Sequence, residues 1–158
     1  MVTSNRATLS HPMAIFGGFL GGFFATLIFH QLAVALLWWL HLAPFPPYQM
    51  APQPPFGVPA VFSLAFWGGV WGILFAYLTP YFGVGSRYWL KAFVFGAIFP
   101  TLVALLVVLP LKGKPVGAHW QLGIWTFALV VNGCWGLGTG VFLRVAQGLV
   151  LRTARAPG

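Results

Sequence analysis

From Pro12 to His41 the chain runs thirty residues without a charged side chain, and three more apolar runs follow it. The first run is too long for the core of a signal peptide and has no small-residue cleavage site behind it, so it reads as a retained helix. At the helical rise it would be roughly 45 Å long against a hydrocarbon core of roughly 30 Å, so it must tilt or protrude. The second run spans 58–79 and is closed by Pro80 and the Gly83/Gly85 turn. The third spans 88–109, with Pro100 inside it and Pro110 stopping it. The fourth spans 119–143, followed by a basic tail over 144–158. Lipid-exposed backbone must satisfy its hydrogen bonds internally, and these runs are continuous rather than alternating. The expected fold is therefore all-α: one domain, an integral membrane bundle of four transmembrane helices, open to being two fused hairpins.

Composition sharpens this reading. Only 5% of residues are charged, 59% are hydrophobic, and the mean hydropathy is +0.89, far from the roughly 25% charged of an average soluble domain. There is no Asp or Glu against eight Lys and Arg. Carboxylate acid–base chemistry, carboxylate metal ligation and internal ion pairs with side-chain carboxylates are thereby excluded. Each cation must find its counter-charge outside the chain, on lipid phosphates or on an acidic neighbour. Nucleic-acid binding does not fit, because the cations sit singly or in pairs at the edges of apolar runs rather than in a stripe. Cys134 stands alone and reads as a small buried hydrophobe.

Arg6, Arg87, Lys91, Arg144, Arg152 and Arg155 fall on one side of the membrane, and Lys112 and Lys114 on the other. The excess predicts cytoplasmic N- and C-termini in a multi-pass protein of the bacterial inner membrane. Aromatic residues at the boundaries agree: Trp38, Trp39, Tyr48 and Trp120 at the outer interface, Tyr77, Tyr81, Tyr88 and Trp89 at the inner. The cations most simply anchor to anionic head groups, with Arg87, Lys91, Arg144, Arg152 and Arg155 as the lipid or partner anchors.

Small residues four apart let helices approach closely in lipid. Gly17/Gly21 and Gly18/Gly22 lie on the first helix, Gly68/Gly72 on the second and Gly136/Gly140 on the fourth. They predict a compact bundle, with one seam free to serve a partner or a second copy. A local repeat, Gly69-Val70-Trp71-Gly72 against Gly133-Cys134-Trp135-Gly136, with a fainter Phe16-Gly17 against Phe95-Gly96, is consistent with duplication of a hairpin. The outer loop over 42–57 is rich in proline and carries no charge, so it reads either as a lid or docking strap or as a stiff interfacial connector.

Inside the spans the polar side chains are few. His30 and Gln31 lie roughly 16 Å below the outer end of the first helix, Thr101 roughly 13 Å and Asn132 roughly 20 Å below theirs, by helical rise. These depths allow one mid-membrane cluster. It reads as polar glue between helices, as a site for a small neutral or anionic ligand, or, through His30, as a haem ligand. His41 and His119, at the outer ends of the first and fourth helices, are a second pair of conceivable haem ligands; His11 carries no motif. Nothing in the sequence calls for a cofactor, and no nucleophile, Walker or metalloprotease motif is present.

The stretches Ile28-Phe-His-Gln31, Met50-Ala-Pro-Gln-Pro-Pro-Phe-Gly-Val-Pro59 and Leu64-Ala-Phe-Trp-Gly-Gly-Val-Trp-Gly72 resemble small bacterial four-helix inner-membrane proteins to which no function is assigned. The resemblance covers about the first half of the chain. It implies four helices and a bacterial membrane, and supplies no activity. The sequence thus points to a non-enzymatic membrane protein, an accessory or assembly subunit or a small homo-oligomer. A small carrier or channel using the polar residues, and a haem-binding membrane subunit, are the alternatives.

Overall fold

The structure is a computed structural model and describes residues 11–153. Arg6, Arg155 and the Arg152 side chain lie outside what the structure describes. Four helices are long and apolar enough to cross a membrane: α1 (His11–Trp39), α2 (Ala60–Tyr81), α3 (Ser86–Leu111) and α4 (Leu122–Thr153). The protein is an all-α, multi-pass membrane bundle. With four passes the start of α1 and the end of α4 fall at one end, which we call the termini end; the other is the strap end. The fourth helix does not stop at Leu143 but runs through Arg144 to Thr153, since nothing in 144–153 breaks helical geometry.

The helices pack as two antiparallel hairpins, α1 with α2 and α3 with α4, and α1 lies along α4 to join them. Glycine makes both hairpins possible. A Cβ placed on Gly22 would stand 2.9 Å from Gly72 Cα, and one on Gly18 would stand 2.8 Å from Ile73 Cα. In the second hairpin a Cβ on Gly96 would stand 2.8 Å from Gly136 Cα. The obstructing atoms are backbone, so these helices touch main chain to main chain. Gly69 and Gly133 do a different job, each giving room to a ring, Phe19 and Phe93 respectively. The structural counterpart of Gly96 is therefore Gly22 and not Gly17, which corrects the fainter half of the sequence repeat.

Gly17 and Gly21 turn toward α4 and meet Leu143, Phe142 and Thr139, while Gly140 meets Tyr88 and Trp89. All the expected packing glycines, Gly17, Gly18, Gly21, Gly22, Gly68, Gly72, Gly136 and Gly140, face another part of the same chain. The expected spare seam is thus taken up internally.

Where the hairpins meet, the core is aromatic. Phe75 stands edge-on to Phe95, Phe82 and Trp135 at ring distances of 5.3, 5.1 and 6.2 Å. Trp135 also donates its indole N–H to Gly22 O at 2.9 Å, a hydrogen bond that ties the second hairpin to the first. Thr26, Thr79 and Thr139 return their hydroxyls to carbonyls four residues earlier, so no polar group is orphaned by their burial.

Each first helix of a hairpin contains one π-turn, Thr26–His30 in α1 and Ala104–Val108 in α3. In α1 this turn redirects the Gln31 N–H to Thr26 O and Ile28 O. An α-helical Gln31 N–H would have gone to Leu27 O. That carbonyl is thereby freed.

Candidate functional site

The four polar residues expected to form one mid-membrane cluster form two separate pairs. Asn132 donates through Nδ2 to Thr101 Oγ1 at 2.9 Å, and Thr101 donates onward to Ala128 O at 3.2 Å, all between α3 and α4. His30 and Gln31 lie apart from this chain, sharing a 3.4 Å contact between His30 Nδ1 and Gln31 Nε2. No hydrogen bond joins the two pairs among the described residues. Gln31 instead serves the outer loop: its Oε1 accepts the Tyr48 N–H at 2.7 Å.

The outer loop is a strap docked on α1. Besides the bond to Gln31, the Tyr48 hydroxyl donates at 2.9 Å to Leu27 O, the carbonyl freed by the π-turn. A two-stranded antiparallel ribbon, β1 (Pro52–Gln53) with β2 (Val58–Pro59), folds the rest of the strap back toward α2. Phe45 stands edge-on to Phe127 of α4 at 5.4 Å, and Lys112 Nζ donates to Gln53 Oε1 at 3.3 Å. The strap therefore touches α1, α4 and the link after α3, and begins α2 with Val61 N–H on Gln49 O.

The strap runs down α1 as far as Leu27. His30 lies about eight residues, ~12 Å, beyond the crossing at Gly22, against about three residues, ~5 Å, for Asn132 beyond Trp135. The first pair lies beside the strap and the second bridges α3 and α4. Each pair makes hydrogen bonds to its neighbours, and no described side-chain N or O atom that is buried lacks a hydrogen-bond partner.

No group of three or more His or Cys gathers among the described residues. His41 lines a shallow groove of about 200 Å³ with Leu42, Pro44, Gln121 and Ile124, and makes neither a hydrogen bond nor a ring contact with His119. His119 sits instead in a left-handed turn, Val116–Trp120. His11 meets the Tyr77 hydroxyl at 3.3 Å at the termini end. His30, His41 and His119 thus stand in three separate surroundings, beside Gln31, in the groove and in the turn.

The cations divide between the two ends. At the strap end stand Lys112 and Lys114. At the termini end Lys91 Nζ donates to Tyr81 O at 2.9 Å, Arg87 is exposed, and the Arg144 guanidinium lies 4.0 Å above the Tyr88 ring. The sequence reading missed three of the contacts that organise the molecule: Trp135 with Gly22, Tyr48 with Leu27, and Arg144 with Tyr88. The first had a visible signal, a tryptophan inside the Gly-x-Trp-Gly repeat. The other two depend on a π-turn and a helix rotation that composition does not encode.

No protein-family model, curated protein or solved structure matches the chain.

Proposed function

We propose that this protein is a non-enzymatic accessory or assembly subunit of the bacterial inner membrane, with both termini in the cytoplasm. The observation that carries this reading is where the uncommitted chemistry lies. Buried polar side chains spend their hydrogen bonds within the chain, the mouth at the strap end is tied across by Tyr48, Phe45 and Gln53, and the glycine seams are occupied internally. Among the described residues, the lipid-facing apolar surface and the cations at the two ends are what chiefly remains to meet other molecules. A protein of this construction acts by contact rather than by turnover. The occupied seams favour a different partner chain over a homo-oligomer held by glycine packing. They also weigh against a carrier or channel, which needs polar groups free to bind cargo, whereas Gln31, Thr101 and Asn132 are engaged.

Purification in mild detergent followed by mass spectrometry of the co-purifying proteins tests the proposal. One membrane partner at a fixed ratio is the expected result; a strictly monomeric protein that captures nothing overturns it. Labelling of single cysteines at positions 87 and 114 from either side of intact cells tests the orientation, with position 87 expected to be protected from an impermeant reagent.

A further inference from the structure

We infer that Arg144 and Trp89 form a seat for the phosphate of an anionic membrane lipid. The site is built from the first turn of α3 upward. Tyr88 faces α4 with its ring 1% exposed, and its hydroxyl donates to Gly140 O at 3.0 Å. This pinned ring is a platform for the Arg144 guanidinium at 4.0 Å from its centroid. Trp89 stands edge-on to Tyr88 at 5.0 Å, with its own ring centre 5.9 Å from the same guanidinium carbon. Stacking holds one face of the guanidinium and leaves its edge N–H donors unused. Besides its contact with Tyr88, Arg144 makes no hydrogen bond to a described residue, and with no Asp or Glu in the chain no side-chain carboxylate can neutralise it.

Position and surroundings select the anion. Arg144 lies about nine residues, ~13 Å, along α4 from Trp135 at the crossing of the hairpins. That is about half of a ~30 Å hydrocarbon core, which puts the guanidinium at head-group level. The guanidinium fork matches two oxygens of a phosphate, and the indole N–H of the partly exposed Trp89 is a second donor of the kind found in interfacial belts. Leu90, Val145 and Leu149, at the same end of α3 and α4, are exposed apolar side chains suited to acyl chains. A soluble phosphate or an acidic peptide would use the donors and leave that surface idle; a phospholipid uses both. Arg87 and Lys91 occupy another face of α3, and Lys91 is already bonded to Tyr81 O.

This inference deepens the reading of the cations as lipid-facing and needs only that the bundle spans a membrane. Failure to capture a partner chain would leave it standing, and its own failure would leave the partner proposal standing. The test is native mass spectrometry of the full chain titrated with phosphatidylglycerol, with a diacylglycerol of the same chains as the phosphate-free control. One phosphatidylglycerol should be retained and diacylglycerol lost. Arg144→Gln should weaken retention by about tenfold, the size expected for a charge-assisted pair. Arg144→Lys and Trp89→Phe should fall between, and Lys112→Gln at the other end should leave it unchanged. Retention within twofold of the parent in a folded Arg144→Gln protein, or in Trp89→Phe and Arg144→Lys together if Arg144→Gln does not fold, overturns the inference. So does displacement of the lipid by millimolar inorganic phosphate or by polyglutamate, which would assign the site to a soluble anion or an acidic protein.

Discussion

In the first hairpin Phe19 lies beneath Gly69 and Gly22 meets Gly72; in the second Phe93 lies beneath Gly133 and Gly96 meets Gly136. A π-turn follows in the first helix of each. One turn nearer the strap end the two part company. At Gly68 the first hairpin makes room for the Thr26 hydroxyl, whereas the matching position of the second holds Asn132, which donates to Thr101. The connections differ further, a docked strap in one and a left-handed turn in the other. The contact plane is thus fixed by sterics, because backbone cannot move aside, while the polar filling above it is free to vary.

The largest expected effects lie in that plane. Gly22→Ala and Gly96→Ala place a methyl group against the carbonyls of Gly68 and Asn132 respectively. Overpacking of this kind costs about 1–3 kcal/mol, and leucine in place of alanine should cost more. Denaturant or thermal unfolding in detergent, followed by circular dichroism, should show comparable losses in the two variants. A Gly96→Ala protein as stable as the parent would break the equivalence of the hairpins.

Next come the differences between the halves. Asn132→Ala removes the bond to Thr101, which keeps its own acceptor at Ala128 O and so is not orphaned. The expected loss is about 0.6–2 kcal/mol, the range of interhelical hydrogen bonds in membranes. The reciprocal change, Gly68→Asn, should be worse, since Thr26 Oγ1 and the Trp135 indole, 3.2 Å from a Cβ there, fill the space an asparagine needs. If Gly68→Asn were tolerated and Asn132→Ala were not, the polar filling and not the contact plane would dominate stability.

The strap offers a smaller and local effect. Tyr48→Phe deletes only the hydroxyl bond to Leu27 O, worth about 0.5–1.5 kcal/mol. Hydrogen exchange over 42–57 should quicken while α3 and α4 keep their protection. Uniform exchange across both hairpins would mean that the strap is part of the global unfolding unit rather than a separately docked element.

Four spans were legible because unbroken apolar length is a strong signal, and Pro80 and Pro110 stand at real ends. The candidate site was legible only as residue types. His30, Gln31, Thr101 and Asn132 could be picked out as polar groups within apolar runs, but their grouping required the strap, which takes up Gln31. That strap docks through a carbonyl released by a π-turn, and no residue between Thr26 and His30 announces such a turn. The Arg144 platform was hidden for a similar reason: the sequence places Tyr88 and Trp89 at an interface without saying which of them turns inward to α4.

Spacing alone misleads most at Gly17/Gly21, and the smallest prediction addresses it. Gly17/Gly21 and Gly18/Gly22 share one four-residue interval and sit one position apart, yet they face different helices at different distances. A Cβ on Gly18 meets backbone of α2, whereas one on Gly17 meets only Leu143 Cδ2, at an ordinary contact distance of 3.9 Å. Gly123 has nothing within 4 Å. Gly17→Ala and Gly123→Ala should therefore be neutral to within about 0.5 kcal/mol in packing. Alanine's better helix propensity could add up to about 1 kcal/mol of stability at Gly17. Placed beside Gly18→Ala in the same unfolding assay, Gly17→Ala separates the motif from the contact: equal destabilisation of both would mean that α1 is rotated from the orientation described, and that the seam facing α4 is as tight as the one facing α2.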